Sequence, residues 1–178
     1  MRLLLLLLLL PFISVSQVIG SDNHGFQLKI EKEVNVDKAT AYQQFINVSQ
    51  WWNADHTWFG NSEELSIEPV VGGCFCEING DKQAMHMTIS YVEPNNEIKM
   101  VGGLGPLQMM GLNGGMSWKF DAIDDKRTKI TFHYQVSGYV NGGLTKLAPI
   151  VDQVQRLQLT RLANLLNTGN ADGTDTAQ

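Results

Sequence analysis

From residue 26 onward the chain alternates apolar and polar residues in short runs, and it settles into a helical period over a long stretch only once. Phe26, Leu28, Ile30, Val34 and Val36 alternate with Gln27, Lys29, Glu31, Glu33 and Asn35, the period of two expected of a strand with one buried face. Lys32 breaks the pattern by falling on the apolar parity. It either reaches the rim along its stem or sits in a cavity facing a ligand or carboxylate. Asp37 is placed as an N-cap for a helix from Lys38 to about Val48, with Tyr42, Phe45 and Ile46 inward. Further alternating runs start at Leu65, Cys74, Met85, Ile98, Met116 and Ile130, and Gly72-Gly73 makes a hairpin turn before Cys74. In the Met85 run, Met85, Met87, Ile89 and Tyr91 share the apolar parity, while His86, Thr88 and Ser90 take the polar one. Residues 102–115 are glycine-rich and apolar without a regular period.

The long period runs from Leu144 to Leu166. Leu147, Val151, Val154, Leu162 and Leu165 recur at three and four residues with Leu144, Ile150 and Leu157 beside them, and Lys146, Asp152, Gln153, Gln155, Gln158 and Arg161 lie mostly on the other side. Pro149 separates or kinks the first turn, and Asn167 with Gly169 closes the helix. The expected fold class is α+β: a curved antiparallel sheet of about seven strands, wrapped around one long C-terminal helix, with short helices after the first strand. The space between sheet and helix is a natural cavity.

Ahead of this domain, Met1-Arg2, the run Leu3 to Leu10 and the small residues Ser14, Ser16 and Gly20 have the pattern of a secretory signal peptide. The apolar run is shorter than the roughly 20 residues of a spanning helix. The expected organisation is a leader over residues 1–20, a domain over 26–167 and a disordered tail over 168–178, with no stable membrane span after cleavage. The mature chain is then exported, to the periplasm or the exterior.

Composition narrows the function classes. A 178-residue chain with 43% hydrophobic residues can bury a substantial core. A net charge of -5 offers no basic stripe for phosphates, which argues against nucleic acid. The cysteines are Cys74 and Cys76 alone, separated by Phe75. On an extended strand a disulfide between them is strained, and two sulfurs are a weak metal signal. Two small buried apolar residues are the expectation, with no metal and no cofactor.

The segments Val34-Asn35-Val36-Asp37-Lys38-Ala39-Thr40-Ala41-Tyr42, Trp51-Trp52, Pro69-Val70-Val71-Gly72-Gly73-Cys74-Phe75-Cys76-Glu77 and Met116-Ser117-Trp118-Lys119-Phe120, followed by the terminal helix, resemble the START-like (SRPBCC) superfamily. The resemblance spans the mature chain. It implies a helix-grip fold with a hydrophobic cavity for lipids, polyketides, hormones or other apolar molecules. It also brings in relatives named as polyketide cyclases and as activators of a cytosolic heat-shock ATPase, and the leader speaks against carrying the latter label over.

The expected ligand walls are Met85, Met87, Tyr91, Met100 and Trp118, with Val151 and Val154 as lid and Trp52 and Trp58 at the mouth. Methionine adapts its shape and suits promiscuous apolar binding, although it also serves as ordinary core filler. The partner is then a hydrophobic small molecule, bound or carried. A cyclase- or dehydratase-type enzyme is the alternative, with His56, Tyr91 or Lys32 as the cavity acid or base, and an envelope interaction protein with a collapsed cavity is the third reading. No phosphate-cradling glycine motif, serine-elbow nucleophile or metal-spaced histidine set is present.

Overall fold

A computed structural model describes residues 17–173. The strands are β1 (Gln17–Ser21), β2 (Gly25–Val34), β3 (Leu65–Ile67), β4 (Cys74–Asn79), β5 (Lys82–Glu93), β6 (Glu97–Val101), β7 (Asn113–Asp124) and β8 (Arg127–Ser137). The helices are α1 (Lys38–Ile46) and α2 (Ala148–Thr168). All eight strands join one antiparallel sheet in the order β1-β2-β8-β7-β6-β5-β4-β3. Sheet plus long C-terminal helix is the α+β helix-grip arrangement, with one strand beyond the expected seven.

The additional strand is β1, which pairs with β2 and so places residues 17–20, the end of the expected leader, in the sheet. Residues 1–16 lie outside the described residues, as do residues 174–178 of the expected tail. Residues 168–173 of that tail are described and pack back on α2. Gly169 caps α2 in the left-handed conformation that a glycine tolerates (φ 79). Ala171 is buried, Asn164 donates to its carbonyl, and Arg161 pairs with Asp172.

Local sequence chemistry explains the helix boundaries. Asp37 accepts from the backbone N–H groups of Ala39 and Thr40 and so starts α1. Pro149 occupies the first turn of α2, where its missing N–H costs nothing, and Leu144 to Leu147 form a separate turn ahead of it. The buried stripe of α2 is Ala148, Val151, Asp152, Gln155, Gln158, Leu159, Leu162 and Ala163. The helix is therefore rotated from the expected face. Ile150 and Leu157 are exposed, and three polar residues point inward.

Between α1 and the sheet the core is aromatic. Phe45 packs on Trp118 (centroids 4.9 Å apart) and on Phe120 (5.5 Å), Trp51 packs edge-on to Trp118, and Trp118 meets Phe132 at 4.8 Å. Offset and edge contacts of this kind add to the burial of large apolar surfaces.

Two bulges change the reading of β5. Phe75 pairs with Met87 but Cys76 with Met85, so His86 is an extra residue; Ile89 pairs with Met100 but Tyr91 with Lys99, so Ser90 is another. Each extra residue reverses the parity beyond it. Met87 and Ile89 stay inside, while Met85 (57% exposed) and Tyr91 (40%) turn to the outer face and His86 turns inward.

Cys74 and Cys76 also depart from expectation. They are half-buried on the outer face of β4 and joined in a disulfide. Their Cα atoms are 5.4 Å apart, shorter than the roughly 6.6 Å of two fully extended residues and within the span a disulfide bridges. The strand is contracted where the β4–β5 register shifts, between Phe75 and Cys76.

Candidate functional site

The inward side chains of β4 and β5 build an unusual corner of the interior. Phe75 and Glu77 share the inner parity of β4, and Glu77 is fully buried. Its carboxylate accepts from the Trp58 N–H (2.8 Å) and the Phe59 N–H (2.7 Å), and it meets His86 Nε2 at 3.2 Å. A buried carboxylate needs such donors to offset its lost hydration. Burial pushes His86 below the usual imidazole range, against the upward pull of the Glu77 carboxylate. With the ring neutral, the bond to Glu77 places the proton on Nε2, and Nδ1 is a buried acceptor with no partner.

The His86 ring lies 5.0 Å from Phe75, whose other neighbour is Trp52 at 5.3 Å. Trp52 belongs to a segment of short turns over residues 51–60 that α2 holds in place. Gln158 accepts from the Asn53 N–H (2.9 Å) and meets His56 Nδ1 at 2.9 Å, and Arg161 donates to the Trp51 carbonyl. One turn earlier on α2, Gln155 is 2% exposed and its Oε1 has no partner.

Residues 102–112 close the neighbouring end of the sheet. Leu104, Leu107 and Leu112 are buried, and Gln108 donates to the carbonyls of Met85 (2.6 Å) and His86 (2.9 Å). The Leu104 N–H donates to Tyr134 Oη, whose phenol burial pushes up to about 12. Tyr134 is therefore neutral and structural at ordinary pH.

The interior is nearly filled. An internal void of about 10 Å³ is bounded by Phe45, Trp52, Phe75, Met100, Met116 and Trp118 among others, about the space of one water. Of the expected ligand walls, the structure brings Trp52, Met100 and Trp118 together there. Met87 and Val151 are buried, Val154 is half-buried, and Trp58, Met85 and Tyr91 are exposed. A larger open groove of about 610 Å³ crosses the outer face, past Ser90, Lys99, Gly115, Ser117, His133 and Gln135. Met100 alone of the expected wall residues borders it.

The three acid–base candidates do not converge. Tyr91 Oη donates to Glu93 on the outer face, and that carboxylate holds the phenol above its usual range. His56 is tied to Gln158, and Lys32 is half-buried on β2. No hydrogen bond or ion pair joins any two of them. The polar groups of the interior that sequence reasoning passed over are Glu77, His86, Gln155 and Gln158. For Glu77 a signal existed, since it shares the parity of Phe75; for His86 the bulge erased it.

No family model matches the chain, and no curated protein does. Solved structures share its fold. A protein in the dynemicin biosynthetic locus, DynU16, superposes with a TM-score of 0.60 at 17% identity, over 86% of this chain and 51% of its own. The Aha1 dimer of Colwellia psychrerythraea gives 0.59 at 14% identity, over 80% and 97%. A conserved protein of unknown function from Enterococcus faecalis gives 0.56 at 15%, over 89% and 80%. These likenesses establish the helix-grip type of fold. Among the described residues no helix is long and apolar enough to cross a membrane, and no group of three or more His, Cys, Asp or Glu could hold a metal.

Proposed function

We propose that this chain is an exported START-like protein that binds a hydrophobic small molecule carrying one hydrogen-bonding group, between α2 and the sheet. The observation that carries the reading is two buried polar atoms without hydrogen-bond partners, His86 Nδ1 on β5 and Gln155 Oε1 on α2, set beside the apolar side chains of the interior. An unmet buried polar atom costs about 1–3 kcal/mol, and apolar walls with a few convergent polar groups are the usual make-up of a small-molecule site. Met87, Met100 and Met116 supply walls that can change shape. Because the void holds only about 10 Å³, a ligand enters by displacing Trp52 from Phe75, with the short-turn segment 51–60 swinging outward. A structural neighbour from a biosynthetic locus is in keeping with this reading, and the signal-peptide pattern over residues 1–20 is what supports an exported compartment.

The test is native mass spectrometry of protein purified from the exported fraction, before and after organic extraction, together with a Trp52→Ala variant. A discrete added mass lost on extraction supports the proposal. So does tighter binding of a fluorescent long-chain fatty acid by Trp52→Ala, whose void is larger. An apo mass together with no probe binding by the variant would overturn it in favour of an interaction module with a collapsed cavity.

The Glu77–His86 pair favours a second reading, a cyclase- or dehydratase-type enzyme. Glu77 orients the imidazole, and His86 Nδ1 serves as the general base toward a substrate in the opened interior. In that case the extracted ligand, returned to the protein in deuterated water, gains mass at a carbon-bound position with the wild type and not with His86→Gln. No exchange with the wild type leaves binding alone.

A further inference from the structure

Three sulfur-bearing side chains share the outer face of the sheet where β4 meets β5. Cys76 is the register partner of Met85, and Cys74 is the register partner of Thr88. Directly paired residues on one face hold their Cβ atoms about 4.5–5.5 Å apart. The Met85 thioether accepts a hydrogen bond from Thr88 Oγ1 (3.6 Å), so its sulfur leans along β5 toward the position opposite Cys74. Met85 thus shares the outer face with both cysteines, paired with one and bonded to the residue paired with the other. Met85 is 57% exposed and both cysteines are half-buried, so all three are reachable from solvent. The first bulge of β5 creates this arrangement, because without it Met85 would face inward.

We infer that Cys74, Cys76 and Met85, once the disulfide is reduced, form an all-sulfur site for a soft monovalent cation of the Cu(I) class. In the oxidised chain the sulfurs of Cys74 and Cys76 are bonded to each other and are poor ligands. An external dithiol supplies two electrons and two protons, the bond between the sulfurs breaks into two thiols, and the dithiol becomes a disulfide. Cu(I) then displaces both thiol protons to solvent and is held by two thiolates, with the neutral Met85 thioether as the third donor. Thiolate and thioether ligands suit soft metals, with Cu(I) and zinc among them. A structural zinc site needs four ligands, commonly with imidazole or carboxylate among them. Among the described residues no cluster of three or more His, Cys, Asp or Glu provides such a set. The site is independent of the interior cavity and lies on the opposite face of the sheet.

The experiment is an anaerobic competition titration of the desalted, dithiol-reduced protein against Cu(I) buffered by bicinchoninate. One Cu(I) per reduced chain is expected and none for the oxidised chain, with binding lost in Cys74→Ser and in Cys76→Ser. Met85→Leu, a change at an exposed position, should weaken binding at least tenfold while circular dichroism stays unchanged. Failure of the reduced wild type to take copper from the chelator would overturn the proposal. So would an unchanged affinity in Met85→Leu, or unfolding of the domain on reduction.

Discussion

The two sides of the interior are built on different terms. Where β7 and β8 face α1, the buried side chains include Ile130, Phe132, Phe120, Phe45 and Trp118, and the buried polar residue there, Thr128, donates to the Val36 carbonyl. Where β4 and β5 face the segment around Trp52, the interior includes Glu77 and His86, and α2 adds the buried Gln155 and Gln158. On the first side stability follows area removed from water, about 25 cal/mol per Å². On the second it depends on whether each buried polar atom finds a partner. An apolar core loses stability in proportion to what is cut away, whereas a polar corner can lose as much from a few atoms.

The largest expected effects test that contrast directly. Glu77→Ala removes the acceptor for two backbone N–H groups and for His86, and each buried donor left unsatisfied costs about 1–3 kcal/mol. Phe132→Ala should cost about 3–5 kcal/mol, through cavity and transfer terms. Urea unfolding midpoints at a common slope give both values. A loss below about 1 kcal/mol for Glu77→Ala, against the full loss for Phe132→Ala, would make the polar corner energetically idle and end the comparison.

A smaller effect separates the two sides by pH. His86 has a folded pKa below the ordinary value of 6.5, chiefly through burial. The unfolded chain therefore takes up a proton that the folded chain refuses. Stability is full above about pH 6.5 and falls as pH drops below it, by at most about 1.4 kcal/mol per pH unit for one proton. The loss levels off once the folded form also protonates. Melting temperatures between pH 8 and pH 5 should show this decline, and His86→Gln should flatten it. Phe132→Ala should shift the whole curve down without changing its shape.

The same division explains how much of the structure could be read from the sequence. In β2, β7 and β8 no bulge interrupts the buried rows, so Phe26 through Ile30, Met116 through Phe120 and Ile130 through Val136 lie where their alternation puts them. The α1 cap at Asp37, the separate turn before Pro149 and the Gly169 cap follow from local chemistry. In β5 alternation is a misleading guide, because a bulge is a property of the pairing and leaves no mark in a period-two pattern. On α2 the apolar residues Ile150 and Leu157 lie outside while Gln155 and Gln158 lie inside. Packing of α2 against β2 and the tie to Asn53 and His56 outweighed the side-chain pattern. The disulfide was missed for the same reason as the bulge: ideal strand spacing was assumed where the ladder shifts.

The smallest expected effect is the sharpest test of the boundary between the two sides. Unbroken alternation would bury Met85, Met87, Ile89 and Tyr91 together, and truncating any of them to alanine would then cost about 2–5 kcal/mol. With bulges at His86 and Ser90, only the middle pair is buried. Met87→Ala should fall in that range, while Met85→Ala should stay within about 0.5 kcal/mol of the wild type and Tyr91→Ala within about 1 kcal/mol. Tyr91 keeps a modest reserve in the Lys99 amine 4.7 Å from its ring centroid, and exposed cation–π contacts are worth about 0.5–1 kcal/mol at most. A loss above about 2 kcal/mol at Met85 would restore it to the core. It would also return His86 to the outer face, and the orphaned imidazole on which the ligand site depends would no longer be buried.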